Sequence, residues 1–418
     1  MRNLRANLAL IALVILGLAC LGGLLWANYR FVTHFDAGGH FLPRWAGTQW
    51  FVKDGISPYS DEAVRGLQEL VLGRRPRPND PPVFYLFPFY AFVVYLPFSL
   101  ITDFELATAV WMTALEAALL AAGVVSISLS RWRPSRPLLA AFLLFSVLWY
   151  FGGRALINGH VVILTSLMVL LALLAIRAGH DVLAGFLLAL STITPQVVFL
   201  LILFVIIWAL SARRGGIAAS FVVSLLFFLF STLLFFPDWL AAYARQVLVY
   251  LVVLAPPSAP GGVLFRSLPG IGRQIGWGLT VFSLGLLFWE WRLARGAEMR
   301  HFFWTACLTI VVSSLTGIPT SPDHYVMMLP ALALSMEVWD ERWGALGKTL
   351  IVLSLLVFTA GLWGLAWQGA VSGYRAIHNL LNFFLLPFYL LASLYWVRWW
   401  ALRPPRLPLE EAAAQEML

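Results

Sequence analysis

The run Ala6–Asn28, with the sequence ANLALIALVILGLACLGGLLWAN, contains no charged residue and indicates the class of this protein. An α-helix needs about 20 consecutive apolar residues to cross the hydrocarbon core of a bilayer, and this run is long enough. Arg2 and Arg5 precede the run, and no Ala-x-Ala cleavage site follows it. We therefore expect a first membrane helix that starts in the cytoplasm, and not a cleaved signal peptide.

Apolar runs of similar character recur to the end of the chain. Of its residues, 61% are hydrophobic and 11% are charged, whereas a soluble domain carries about 25% charged residues. We predict an all-α polytopic membrane protein. Its predicted crossing segments are Ala6–Asn28, Glu105–Ser130, Pro137–Phe151, Val161–Ile176, Val182–Thr194, Gln196–Leu210, Ile217–Phe236, Ile275–Trp291, Phe302–Gly317, Tyr325–Val338, Leu346–Trp367 and Ile377–Trp400.

Three of the apolar runs are unusual. Phe84–Ile101 contains two prolines and is predicted to be a short or re-entrant helix, with a full crossing as the alternative. The bundle is therefore expected to have about 12 to 13 transmembrane helices. Val182–Thr194 and Gln196–Leu210 are shorter than a bilayer, and short helices are tolerated where they line a water-filled cavity.

The positive charge of the chain predicts its topology. The net charge of +8 comes mostly from links between apolar runs, and the positive-inside rule assigns such links to the cytoplasm. We expect a multi-pass plasma-membrane protein with both termini cytoplasmic, membrane lipids as partners and no nucleic-acid partner. Its predicted parts are a single transmembrane domain (1–403), which includes a long first extracytoplasmic loop (29–83) and a second one (237–273), and a disordered cytoplasmic tail (404–418). Within the second loop, the Pro/Gly-rich stretch Ala255–Gly262 is expected to be mobile.

The first loop is where water-phase chemistry is expected. Asp36 lies just beyond the first helix, at the water–lipid boundary, where a partly buried carboxylate can act as general base on a hydroxyl. A solvated loop acid or a helix cap is the structural alternative. Arg44–Lys53 and Asp61–Leu72 are predicted to be short surface helices. The cluster Arg74–Arg77 is a candidate for contact with lipid phosphates, with plain solvation as the alternative.

Further candidates lie in links predicted to face the same side. Arg154 and Arg266 are suited to phosphate, because the planar guanidinium donates two parallel hydrogen bonds. An interfacial arginine that reaches to lipid headgroups is the alternative for Arg154. His160, Asp323 and His324 are candidates for binding a substrate, and two neighbouring residues are too few to indicate a metal site.

The motifs of nucleotide-dependent enzymes are absent from the sequence. It has no Walker-type loop, no Gly-x-Gly-x-x-Gly nucleotide motif and no Asp-x-Asp pair. An enzyme that faces outward would therefore need a lipid-linked donor. Glu116 is the one acid deep in a predicted span, and a transporter relay would usually have more such groups.

Several short motifs, in order, resemble glycosyltransferase family 87. They are Asp36 after the first helix, Gly55-Ile56-Ser57-Pro58-Tyr59, Tyr85-Leu86-Phe87-Pro88, Asn158-Gly159-His160, Thr194-Pro195-Gln196 and Thr320-Ser321-Pro322-Asp323-His324-Tyr325. The sequence departs from the family in having Thr194 where a lysine is frequent and His160 where a glutamine is frequent.

The resemblance implies a GT-C fold and a polyprenyl-phosphate sugar donor, typically of mannose. It implies that Asp36 is the catalytic base of an inverting transfer and that Arg154 or Arg266 stabilises the leaving phosphate. Tyr85, His160, Asp323 and His324 are then expected to bind substrate, and the loss of the lysine puts donor binding at Thr194 in doubt. No cofactor is expected, and a divalent metal is left open.

These observations lead to the prediction of a membrane glycosyltransferase, a hexosyltransferase of the cell envelope. It would move a sugar from polyprenyl phosphate to a lipid or glycan acceptor on the extracytoplasmic face. A transporter or flippase of lipid-linked glycans is the alternative, since it would share a hollow bundle and basic phosphate contacts. A non-catalytic scaffold is poorly supported.

Overall fold

A computed structural model of the chain describes residues 2–77, 79–251, 260–372 and 375–403. Within these ranges the secondary structure is helical and contains no strand. The first helices are α1 (Arg2–Val32), α2 (Leu42–Asp54), α3 (Asp61–Leu72), α4 (Phe92–Ser99), α5 (Phe104–Ser130), α6 (Arg136–Leu148), α7 (Tyr150–Ile157), α8 (Val162–Ala178) and α9 (Asp181–Ser191). The remaining ones are α10 (Pro195–Ser211), α11 (Gly215–Phe235), α12 (Trp239–Val249), α13 (Pro260–Ser267), α14 (Gly272–Leu293), α15 (Met299–Ser313), α16 (Leu329–Leu356), α17 (Leu362–Ser372) and α18 (Arg375–Leu402).

The helices are those of a multi-pass membrane protein, as predicted. Among the described residues, five stretches are long and apolar enough to cross a membrane: Ile15–Val32, Phe104–Ser130, Gly215–Phe235, Pro322–Gly369 and His378–Leu402. The pair α6 and α7, bent by 43°, makes a sixth if it is counted as one span. The larger number of crossings expected from the sequence stays a prediction, because α8, α9 and α10 are apolar helices of less than bilayer length.

Two predicted interruptions are confirmed. The run Phe84–Ile101 forms a 3-10 turn (Phe89–Ala91) followed by the eight-residue α4, which is too short to cross a bilayer because about 20 residues are needed. Gly344 breaks α16 with φ 48° and ψ −115°, between the predicted spans Tyr325–Val338 and Leu346–Trp367.

The chain forms two compact units. The first comprises Met1–Leu119, Gly153–Leu164 and Phe227–Ala255. It contains α2 and α3, the two surface helices predicted in the first loop. Gly55, with φ 67°, ends α2, and the Ser60 hydroxyl accepts a hydrogen bond from the Ala63 N–H to begin α3. A stack of aromatic rings fills the interior of this unit, with Phe41 on Trp111 at 5.2 Å between centroids.

The second unit comprises Leu120–Gly152, Thr165–Leu226 and Pro256–Leu418. Helix α15 lies at its centre: its residues from Phe302 to Val312 are all buried, and it contacts α10, α14, α16 and α18. Glu290 of α14 is an acid that the sequence did not single out. It forms an ion pair with Arg398 of α18 at 3.0 Å and therefore joins these two helices.

Two expectations about the loops need correction. Ala255–Gly262 was expected to be a mobile Pro/Gly-rich loop, but its last residues begin α13, and residues 255–259 lie outside the described residues. In the cluster Arg74–Arg77, Arg74 makes two hydrogen bonds to Asp80, at 2.7 and 2.9 Å, so its charge is already paired. The tail 404–418 lies outside the described residues, and the single-domain prediction stays a prediction.

Candidate active site

The chain that follows α1 is tied to the end of α7 by backbone hydrogen bonds. The Gly38 N–H donates to the Ile157 carbonyl, and the His40 N–H donates to the Asn158 carbonyl, both at 2.8 Å. These bonds join the segment that carries Asp36 to the motif Asn158-Gly159-His160, more than a hundred residues away in sequence. We call this backbone junction, residues 38–40 with 157–159, the seam.

Glycine is needed on both sides of the seam. Gly159 has φ 67°, and a Cβ on it would lie 2.9 Å from the Cβ of Phe41. Gly38 has φ 77°, and a Cβ there would lie 2.8 Å from a methyl carbon of Thr108. Because both φ values favour glycine and both Cβ positions are occupied, larger residues would push the two segments apart. The Trp111 indole N–H, which donates to the Gly159 carbonyl at 2.9 Å, holds the seam against α5.

Asp36 lies two residues before the seam and is exposed. The partial burial expected from its place at the membrane edge is therefore not found. In the part of the chain that the structure describes, its carboxylate makes no hydrogen bond and no ion pair. Both carboxylate oxygens are consequently open to a substrate hydroxyl, which is the geometric requirement for a general base.

Two histidines meet beside the seam. The rings of His40 and His160 lie 4.7 Å apart between centroids, at 51° to each other. The Val162 N–H donates to Nδ1 of the buried His160 at 3.1 Å. That bond assigns the proton of neutral His160 to Nε2, since Nδ1 is the acceptor.

Arg44, in the first turn of α2, is a candidate that the sequence did not reveal. Its Nη1 donates to the His40 carbonyl at 2.7 Å, and its guanidinium lies 4.6 Å from the centre of the Phe87 ring. Its Nε is buried without a hydrogen-bond partner, and among the described residues no carboxylate pairs with it. Desolvation lowers the pKa of Arg44, although arginine stays protonated under such shifts.

Tyr85 lies in the same aromatic interior and is fully buried. Burial raises the pKa of Tyr85 to about 12, opposed by a hydrogen bond with Thr48 and by the charge of Arg44. Tyr85 is therefore a neutral phenol at physiological pH, able to donate a proton in a hydrogen bond. A direct role in substrate binding stays a prediction, because its ring packs against Gly47 and Tyr59.

Arg154 is half-buried in α7, one turn before Asn158, whose N–H donates to the Arg154 carbonyl at 3.0 Å. Helix α7 therefore carries Arg154 toward the end that forms the seam. Asp36, Arg154, His160 and Tyr85 belong to the first unit, and Arg44 belongs to it as well.

Asp323 and His324 belong to the second unit, in a 3-10 turn (Pro322–Met328) before α16. The Ser321 N–H donates to Nδ1 of His324 at 3.3 Å, so the imidazole caps its own turn. His324 and Gln196 line one small cavity. Two motifs that the sequence placed far apart, Thr194-Pro195-Gln196 and Ser321–Tyr325, therefore meet in this unit.

Two more positions of the second unit bear on the sequence predictions. Thr194, where a lysine was expected, is buried and donates from its hydroxyl to the Thr165 hydroxyl at 2.9 Å, which is a packing contact. Arg266 is exposed in the last turn of α13. It stays a prediction that Arg266, Asp323 and His324 share one cavity with Asp36. The described residues contain no group of three or more metal-ligating side chains.

Comparison with protein families gives one match. The model of glycosyltransferase family 87 matches residues 85–319, which is more than half of the chain. Tyr85, Arg154, His160 and Arg266 lie inside the matched range, whereas Asp36, Asp323 and His324 lie outside it. The comparison with curated proteins and the comparison with solved structures each returned no match.

Proposed function

The chain belongs to glycosyltransferase family 87, and on that premise we propose that it transfers a sugar, mannose, from a polyprenyl-phosphate donor. The acceptor is a hydroxyl of a lipid or glycan on the extracytoplasmic face of the plasma membrane. Asp36 is the general base, and the transfer inverts the anomeric centre. Membership of the family supports a membrane glycosyltransferase; the donor, the acceptor and the mechanism are our proposal.

The seam is the observation that carries the proposal. It gathers Asp36, His160 and Arg44 at one junction. Asp36 is exposed, and among the described residues neither its carboxylate nor the Arg44 guanidinium takes part in an ion pair. A base, a neutral donor and a cation are the three groups that transfer from a phosphate-linked sugar needs.

The reaction follows from these roles. Asp36 accepts the proton of the acceptor hydroxyl while the hydroxyl oxygen forms a bond to the anomeric carbon. The bond from that carbon to the phosphate oxygen breaks, and polyprenyl phosphate leaves with the electron pair. Attack from the face opposite the phosphate inverts the centre.

The leaving phosphate gains charge as the bond breaks, and Arg44 is placed to stabilise it. The guanidinium uses one N–H on the His40 carbonyl and retains others. Arg44 is half-buried beside Phe87, Tyr85 and Tyr95, so its attraction to an oxyanion is stronger than it would be in bulk water. Arg154 and His160 are the further phosphate and sugar contacts in this proposal.

The transporter alternative gains no support from the acid on which it depends. Glu116 accepts a hydrogen bond from the Asn28 amide at 2.8 Å, and within the described residues no second acid, histidine or lysine bonds to it. A proton relay needs a partner that titrates. Glu116 is satisfied by an amide and contributes to packing between α1 and α5.

The test uses purified protein, radiolabelled polyprenyl-phosphate mannose and extracted envelope lipids as acceptors. We expect wild type to form a labelled product, Asp36→Asn to lose transfer by about a hundredfold or more, and Asp54→Asn, an exposed acid of the same loop, to match wild type. Equal transfer by Asp36→Asn would show that Asp36 is not the base. Flipping of a glycolipid across proteoliposomes without consumption of the donor would establish the transporter instead.

A further inference from the structure

A small cavity of the second unit collects arginines from three separate parts of the chain. Its polar lining is Ser130, Arg131, Arg177, Arg300 and Glu337. Arg131 follows α5, Arg177 lies in the last turn of α8, and Arg300 lies in the first turn of α15. The cavity measures ≈ 40 Å³, which is room for about three water molecules.

The cavity carries an excess of positive charge. Three guanidinium groups and one carboxylate line it, and the charges of Glu298, Glu341 and Arg342 lie close by. Among the described residues, no ion pair joins the four lining groups to one another. Arg177 donates to the Ser128 carbonyl and, at 2.9 Å, to the Ser128 hydroxyl. Arg300 donates to the Arg403 carbonyl at 2.9 Å. Each of these leaves guanidinium donors unused, because arginine has five N–H groups.

Arg131 differs from the other two arginines of the cavity in its hydrogen bonds. In the described part of the chain its side chain makes no hydrogen bond. Its φ of 62° is unusual for a residue with a Cβ, and such strain persists only where the surroundings impose it. Trp132, buried and bonded through its indole N–H to Asp340 at 3.0 Å, fixes the chain at this bend.

We propose that this cavity binds the phosphate group of an anionic phospholipid. The rest of its lining is apolar, from Leu129, Leu173, Phe302, Phe303, Leu334 and Ala401, among others. These apolar residues are buried, so the cavity offers room to the headgroup and the acyl chains stay outside it. Arginines gathered between membrane helices suit the phosphate of such a headgroup. The links that carry Arg131 and Arg300 are those that the charge pattern predicts to be cytoplasmic, so the lipid is one of the inner leaflet. This site is independent of the proposed transferase chemistry.

Thermal unfolding of the full chain in detergent tests the proposal. Three additives are compared at equal concentrations: short-chain phosphatidylglycerol, short-chain phosphatidylcholine and inorganic phosphate. We expect phosphatidylglycerol to raise the unfolding temperature in a saturable way and phosphatidylcholine not to. Arg131→Gln should weaken the apparent affinity about fivefold to tenfold, since one cation near a lipid phosphate contributes on that scale. Arg133→Gln, exposed on the same link and outside the cavity, is the matched control.

A second variant moves the affinity in the opposite direction. Glu337→Gln removes the carboxylate of the cavity and should tighten phosphatidylglycerol binding, a gain that general destabilisation cannot produce. The proposal is overturned if Arg131→Gln titrates like wild type, or if phosphatidylcholine acts as well as phosphatidylglycerol. An equal shift with inorganic phosphate would overturn the lipid as the ligand and assign the cavity to a soluble phosphate.

Discussion

Replacing Arg44 by glutamine should separate catalysis from stability. The substitution removes a guanidinium that has no acid partner and leaves a polar group able to donate to the His40 carbonyl. If Arg44 serves mainly to bind a phosphate, the variant should fold normally and transfer poorly. If Arg44 serves mainly to hold α2 in place, both properties should fall together.

The structure allows the stability term to be worked out. The lost contacts are one charged hydrogen bond, worth about 1.5–3 kcal/mol, and the interaction with the Phe87 ring, worth about 0.5–2 kcal/mol. The substitution also removes the desolvation penalty of a cation that has no counter-charge. For a buried ion this penalty is several kcal/mol. Arg44 is half-buried, so part of that penalty applies. We expect the free energy of unfolding to change by no more than about 2 kcal/mol in either direction.

The substitution can only lower the rate of transfer. Removing a single donor from a developing oxyanion costs about 2.7–4 kcal/mol, or about a hundredfold to a thousandfold in rate. We therefore expect Arg44→Gln to lose that factor in kcat/KM for polyprenyl-phosphate mannose, while its unfolding temperature stays within a few degrees of wild type. Arg65→Gln, which makes the same charge change at an exposed site on α3, should keep full activity.

Two results would refute this reasoning. Transfer by Arg44→Gln at a rate close to wild type, with a normal unfolding temperature, would show that the cation is far from the reacting phosphate. A large fall in unfolding temperature together with the loss of transfer would show that Arg44 is a packing residue. Measurement of both properties on the same preparation distinguishes the two results.

Two further predictions concern the seam and the first loop. Gly159→Ala should lower the free energy of unfolding by about 1–3 kcal/mol, through its positive φ and the contact with Phe41, and abolish transfer; Gly39→Ala, which has open space around it, should be neutral in thermal unfolding and in transfer. Arg74 and the Arg77 N–H hold the pKa of Asp80 at about 2, below its ordinary 3.8. The stabilisation by Asp80 is therefore full above pH 3.8 and lost as the pH falls toward 2, so the difference in unfolding temperature between wild type and Asp80→Asn should vanish over that interval.

The sequence predicted the helical class and much of the local structure because these depend on local signals. The length of the apolar runs predicts membrane helices, and two prolines predict the short helix after Phe84. Gly55 marks the C-terminus of α2, and Ser60 marks the N-terminus of α3. The signals were misleading at α13, where Pro260 and two glycines suggested a loop. Pro at the first position of a helix costs no hydrogen bond, and α13 begins at that residue.

The site was predicted only in pieces. Asp36 and the motif Asn158-Gly159-His160 were each identified. The two segments that carry them are joined by backbone groups of Gly38 and His40, and such bonds leave no side-chain pattern in either segment. The glycines were the available signal, since φ above zero at Gly38 and Gly159 is what permits the approach. Arg44 was missed because it lies within a predicted surface helix, where an arginine is expected to be solvated. Its aromatic surroundings come from residues 85–95 and 250, and distance along the chain conceals them.

The distribution of acids, more than that of arginines, indicates which cations can bind a ligand. The chain has 28 basic residues and 20 acidic ones, so many arginines have no carboxylate to meet. In the part of the chain that the structure describes, carboxylates of Asp80, Asp181 and Glu290 neutralise Arg74, Arg214 and Arg398 respectively. Among the described residues, Arg44 and Arg131 form no such ion pair. Arg44 lies half-buried among aromatic rings, where an uncompensated charge is costly, and Arg131, which is exposed, lines a cavity with two further arginines. A phosphate anion would compensate the charge at both places, and on this ground we assign a ligand to each.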